Sequence, residues 1–289
     1  MNTVRSNAVT SVPDFKSILV GITEEGTDRA SSALAYGLSF AQAAGAHITV
    51  QAAALKVSVP RSALGHFASE LAGSENRRVR EAAVATLERA RGAADASGLT
   101  CSIENLQLPL ADLLDAFVGQ ARVHDITVLE TTPEPMEIGR DIIENVVTRG
   151  GRPVLAVPPS YTTFGAERIV IAWDGSERAA RAVAFALPLL KAAQEVEILC
   201  IKGEKDLAHA IPGAELAPNL ARHGVKVSVN DISVRDGDAA ETLRGQAGLF
   251  RADMVVMGAF VHSRLQQWVL GGFTRALIER SPVPLFLAH

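Results

Sequence analysis

The sequence lacks most of what would tie it to nucleic acid, a membrane or an oxidising compartment. Two cysteines occur in 289 residues, Cys101 and Cys200. Neither sits in a CxxC pair or at metal-ligand spacing, so both are expected to be buried, reduced thiols of a cytoplasmic protein. Charge of one sign is missing too. Lys and Arg total 28 against 32 Asp and Glu, a formal net charge of −4. Nothing in that balance calls for nucleic acid or an anionic lipid surface as partner. The one dense charge block, Glu75–Glu81 (ENRRVRE), reads as a solvated helix face. No apolar run approaches the roughly 18 residues of a membrane span, and the first fifteen residues lack the apolar core of a secretory signal.

What is present is a chain written twice. The β-branched run Phe15–Ile22 (FKSILVGI) returns in type at Glu167–Asp174 (ERIVIAWD). After each comes a turn and an Ala-rich helical stripe: Ala33, Leu34, Gly37, Leu38 and Ala41, then Ala182, Val183, Ala186, Leu187 and Leu190 at identical spacing. HDITVLET (His124–Thr131) parallels ADMVVMGA (Ala252–Ala259), and RPVLAVP (Arg152–Pro158) parallels VPLFLAH (Val283–His289). Pro158–Glu167 between the copies has linker composition. Two domains follow, residues 1–158 and 167–289.

Within each copy, strand and helix alternate, which argues for a mostly parallel sheet covered on both faces. In the second copy, strands are expected at Arg168–Trp173, Val196–Ile201, Lys226–Val234, Met254–Met257 and Leu285–Ala288. Helices are expected at Glu177–Ala193, Ala217–His223, Ala239–Phe250 and Thr274–Arg280. The first copy carries a longer second helix, Glu75–Ser97. The fold class is therefore α/β, two tandem doubly wound, Rossmann-like domains with five-stranded sheets.

In such sheets a ligand sits beyond the carboxyl ends of the strands, where strand order reverses. Two segments of the second copy should meet there: WDGS (Trp173–Ser176) and MGAFVHSRLQQWVLGGFTR (Met257–Arg275). Asp174 accepts hydrogen bonds from a ribose, ligates a cation, or caps the next helix. Gly258 lets the chain turn off its strand. Gly271 and Gly272 lead into the last helix, whose N–H groups and dipole favour an anion, and Thr274 adds a hydroxyl. Arg264 and Arg275 are candidate charged contacts. No catalytic constellation is expected: His262, His209 and His223 lack a nucleophile or metal spacing nearby.

On these residues the chain resembles the universal stress protein family, in its tandem two-domain form. Nucleotide-binding members carry G-x2-G-x9-G-[S/T] at this loop. Gly258 matches the first glycine and Gly271 the third, whereas Val261 and Gly272 depart from the second glycine and the hydroxyl residue. The resemblance implies an adenine nucleotide such as ATP, with Mg2+, in the second domain only. Its site residues would be Ala172 and Met257 through their backbones, Asp174, Gly258, Val261, Gly271, Gly272, Phe273 and Thr274. Slow ATP hydrolysis is the most it implies by way of activity. A valine disfavours positive φ, so if the loop needs that geometry Val261 weakens binding, by about tenfold or more, and Val261→Gly should restore it. The first domain has Thr23 where the aspartate would stand, and Glu130, Glu134 and Glu137 where the glycine loop would be. It is expected to bind no nucleotide. The alternative function is an interaction module with both pockets decayed.

Single-domain members pair through the closing edge strand. Here PVLAVP and VPLFLA are those strands, expected to pair within one chain as an internal pseudo-dimer, which leaves a homodimer of two chains open.

Overall fold

The computed structural model describes residues 12, 14–23, 31–58, 66–131, 138–159, 161–203, 213–259, 261–264 and 267–289, with backbone alone at 66–68, 261–264 and 267–269. The first half contributes strands β1 (Ser17–Thr23), β2 (His47–Leu55), β3 (Cys101–Leu108), β4 (Ile126–Glu130) and β5 (Val154–Val157). Helices α1 (Ser32–Ala44), α2 (His66–Ala96), α3 (Leu110–Val123) and α4 (Ile138–Arg149) alternate with them. The second half repeats the plan with β6 (Arg168–Ala172), α5 (Glu177–Ala192), β7 (Glu195–Lys202), α6 (Gly213–Arg222), β8 (Val227–Ser233), α7 (Ala239–Phe250) and β9 (Met254–Gly258). It then departs from the plan with a hairpin, β10 (Val261–Arg264) and β11 (Gln267–Leu270), before α8 (Gly272–Glu279) and β12 (Leu285–Ala288).

Each half is a parallel sheet, in the orders β3-β2-β1-β4-β5 and β12-β9-β6-β7-β8. Antiparallel pairing of β5 with β12, Leu285 opposite Ala156 and Leu287 opposite Val154, joins them into one ten-stranded sheet. The expected internal pseudo-dimer is thus present, and the closing strand of each half is no longer an edge. β3 and β8 are the outer strands.

Because parallel strands are covered on both faces, side chains alternate between two cores. Val20, Ile169 and Ile171 pack under α1 and α5, with Leu87 of α2 and Leu220 of α6. Leu19, Val170 and Val255 face α3, α4, α7 and α8 through Phe117, Ile142, Leu243 and Leu277. Both clusters run across the seam between the halves.

A repeated aspartate fixes each central strand. Asp125 Oδ2 accepts from the backbone N–H groups of Lys16 and Ser17, at 2.8 and 3.0 Å. Asp253, the equivalent residue, accepts from Glu167 and Arg168 at 3.0 and 2.8 Å. The Asp in HDITV and ADMVV is therefore what starts the neighbouring strand in register. The linker is also held. Phe164 stacks on Phe40 at 4.5 Å and its N–H donates to Ser39 Oγ, while the Tyr161 hydroxyl donates to the Pro282 carbonyl at 2.6 Å.

Two expectations need correction. Helix α2 starts at His66, about two turns before Glu75, and α6 starts at Gly213 rather than Ala217. The second difference follows from Pro218, which reads as a helix start but stands inside α6 here. Cys200 is buried and free, as expected; Cys101, on the outer strand β3, is free but only half-buried.

A charged contact reinforces the seam. Arg140, 5% exposed at the start of α4, donates to Glu279 at the end of α8, and its Nε lies 4.0 Å from Glu144. The guanidinium also suits the negative end of the α8 dipole. Arg140 holds the Glu279 carboxyl below its ordinary range, whereas burial pushes Glu144 up. A depressed carboxylate stabilises the fold above its unfolded pKa and ceases to as pH falls through its folded one, so this pair contributes fully at neutral pH and fades in acid.

Glu279→Ala should destabilise the chain in urea unfolding by about 1–3 kcal/mol, below the figure for a fully buried pair because Glu279 is 35% exposed. Adding Arg140→Met should recover much of that loss, since the stranded charge is then gone. Additive losses from the two changes would contradict the assignment.

Candidate functional site

In the second half the chain runs β6, β7, β8 to one side and then crosses to β9 on the other side of β6. The crevice therefore opens between the carboxyl ends of β6 and β9. Register places Ala172 beside Met257, and Gly258 beside Ala288. Ala172 is half-buried and Met257 buried, and both side chains pack with the cluster beneath α7 and α8.

Asp174 follows as an exposed residue. Its Oδ1 accepts from the Ser176 N–H at 3.0 Å, closing a turn that Gly175 completes at φ 71°. Ser176, not Asp174, is the cap of α5, its hydroxyl accepting from Ala179 at 3.2 Å. Asp174 therefore serves the turn and remains solvent-facing, where a ligand hydroxyl can reach it.

Gly258 is a glycine for a reason the sequence does not suggest. It continues β9 without positive φ. A Cβ there would meet the Ala179 nitrogen at 2.6 Å and the Arg178 carbonyl carbon at 2.8 Å. The first turn of α5 thus rests on the bare backbone of Gly258, which brings that helix to the crevice. Beyond it, the Ala259 N–H donates to the Ala288 carbonyl at 2.7 Å, and Arg178 Nε donates to His289 Nδ1 at 3.1 Å. Arg178 and His289 were not singled out from sequence; no motif marks them, and only the fold brings helix and C-terminal strand together.

The segment expected to be a glycine-type phosphate loop is a hairpin instead. Val261 pairs with Leu270, His262 with Val269 and Arg264 with Gln267. Strand geometry suits a β-branched residue, so the positive-φ cost expected at Val261 does not arise. The effect of the valine is different: it belongs to a ladder whose N–H and C=O groups pair with each other. Strand β11 lies against α4 of the first half. The side chains of Val261, His262 and Arg264, and all of His209, lie outside the described residues; His223 is exposed at the end of α6.

After the hairpin, Gly271 (φ −63°, ψ 156°) precedes α8 with no side-chain cap, and no acid lies in the first turn. A Cβ at Gly272 would meet open space, so this glycine is not sterically required. Phe273 is half-buried and Thr274 fully buried. Arg275 is turned toward Glu279, 3.4 Å away, rather than toward the helix head. These residues leave an uncapped helix head at α8 and an exposed carboxylate at Asp174. They do not reproduce a continuous glycine cradle. Among the described residues no group of three or more His, Cys, Asp or Glu gathers to hold a metal, and no helix is long and apolar enough to cross a membrane.

In the first half, Glu130 occupies the end of β4, the place Gly258 holds on β9. Glu134 and Glu137 lie outside the described residues.

Comparison with known proteins bears on the fold. The universal stress protein family matches residues 165–289. The whole chain superposes on a universal stress protein from Archaeoglobus fulgidus with TM-score 0.65, at 17% identity over 96% of this chain and 97% of that one. A protein from Pseudomonas aeruginosa, described as a universal stress protein, gives 0.53 at 12% identity over 96% and 94%. At these identities the likeness establishes the fold. No curated protein matches.

Gly258→Ala should destabilise the chain by about 1–3 kcal/mol, the range of an over-packed contact, because a helix backbone cannot yield as a side chain would. Chemical denaturation measures this. An unchanged midpoint would show that α5 does not rest on Gly258.

Proposed function

Starting from a chain whose second half, residues 165–289, matches the universal stress protein family, we propose that this half binds one adenine nucleotide, ATP or a related one, as part of a stress response. The base and sugar would lie against the backbones of Ala172 and Met257, with Asp174 accepting from a ribose hydroxyl. Gly258 lets the first turn of α5 close on the end of β9. Gly271, Gly272, Phe273 and Thr274 would present the head of α8 to a phosphate, and Mg2+ would arrive with the phosphates.

The observation that carries this reading is the α8 head: a helix N-terminus with neither a capping side chain nor an acid in its first turn, at the open end of the sheet. The N–H groups and dipole of a helix start favour an anion. Because the hairpin turns its own N–H groups to pairing, fewer donors reach the remaining phosphates. Each charge-assisted contact so lost weakens binding by about tenfold or more.

The hairpin also favours a second reading, an interaction module without nucleotide, in which β11 packs against α4.

Calorimetry with ATP and Mg2+ separates the two. Nucleotide binding predicts one site per chain, with Asp174→Ala weakening it about tenfold or more. Absence of heat, with no shift in melting temperature, supports the interaction module.

A further inference from the structure

We propose that Glu130 is an internal ligand of the first half: its carboxylate fills, from within the chain, an anion position at the head of α1, and so closes that half to outside anions. Glu130 Oε2 accepts from the Ser32 N–H at 2.7 Å, from the Ala33 N–H at 3.3 Å and from the Ser31 hydroxyl at 3.3 Å. Ser31 meanwhile caps Leu34. One carboxylate oxygen thus takes the orphan donors of the first turn that the capping serine cannot reach. Helix N-termini accept anions at such donors.

The second half supplies the independent comparison. There α5 opens on the same kind of cap, Ser176, and the strand end facing it is Gly258. With no side chain at that place, the helix backbone sits directly on the strand. The first half spaces helix from strand with a carboxylate instead. Glu130 is therefore more than a charge that repels phosphate. It already holds the donors a phosphate or carboxylate would need, and it is tethered beside them, so an outside anion must displace a ligand of very high effective concentration. This does not depend on nucleotide binding in the second half.

The test is chemical rescue in the full chain. Glu130→Ala should lower the melting temperature by about 2–4 °C. Sodium formate should recover most of that loss in a saturable way, beyond sodium chloride at equal ionic strength. Wild type and a control of similar instability, Asp253→Asn, should show no formate-specific gain. Glu130→Gln, which keeps an acceptor of the same shape, should fold, gain nothing from formate, and exchange the Ser32 and Ala33 amides faster than wild type does. Full stability of Glu130→Ala, recovery no better with formate than chloride, or unchanged exchange in Glu130→Gln would each overturn the proposal.

Discussion

The antiparallel pairing of β5 with β12 is the constraint from which the rest of the molecule follows. Each half alone would end in a short, wholly apolar strand with one row of unpaired backbone groups, an arrangement prone to association. Placing both copies in one chain turns that liability into a seam. The result is a continuous sheet and two cores that each extend beneath helices of both halves. The linker packs on α1 and Arg140 meets Glu279 across the same boundary. The end of α8 is therefore held partly by a residue of the first half.

Within that frame the two halves solve one local problem in opposite ways. Both bring a serine-capped helix to the end of a central strand. One faces it with Gly258 and lets backbone touch backbone; the other faces it with Glu130 and satisfies the helix with a carboxylate. A single side chain thus decides whether the first turn is open to packing or already liganded. The likeness in fold covers the whole chain, while the family match is confined to residues 165–289. That confinement fits a first half that keeps strands and helices but has lost the glycine loop.

Much of the architecture was legible in the sequence because period and repetition carry it. Runs such as Ile18–Val20 and Ile169–Ile171, buried on both faces, read as strands in either copy, and Ala-rich stripes at helical spacing read as α1 and α5. Asp174 read as a helix cap or a ligand contact, whereas Ser176 takes the cap and Asp174 closes the turn before it. The hairpin was not legible. Val261–Leu270 has neither alternation nor a recognisable two-residue turn, and flanking glycines made it look like a phosphate loop. The role of Gly258 was hidden for another reason: glycine suggests freedom in φ, while here it marks a close approach from a helix 80 residues earlier in the chain. Glu130 likewise looked like simple repulsion, because hydrogen bonds to Ser32 and Ala33, about 98 residues away, have no local signature.

Amide hydrogen exchange, resolved to segments Val154–Val157 and Leu285–Ala288, tests the seam most directly. If the account is right, both segments exchange only through global unfolding and share one protection factor, as central strands do. Rapid exchange of either segment, at rates like those of β3 and β8, would mean that the halves do not form one sheet, and the arrangement described would be wrong.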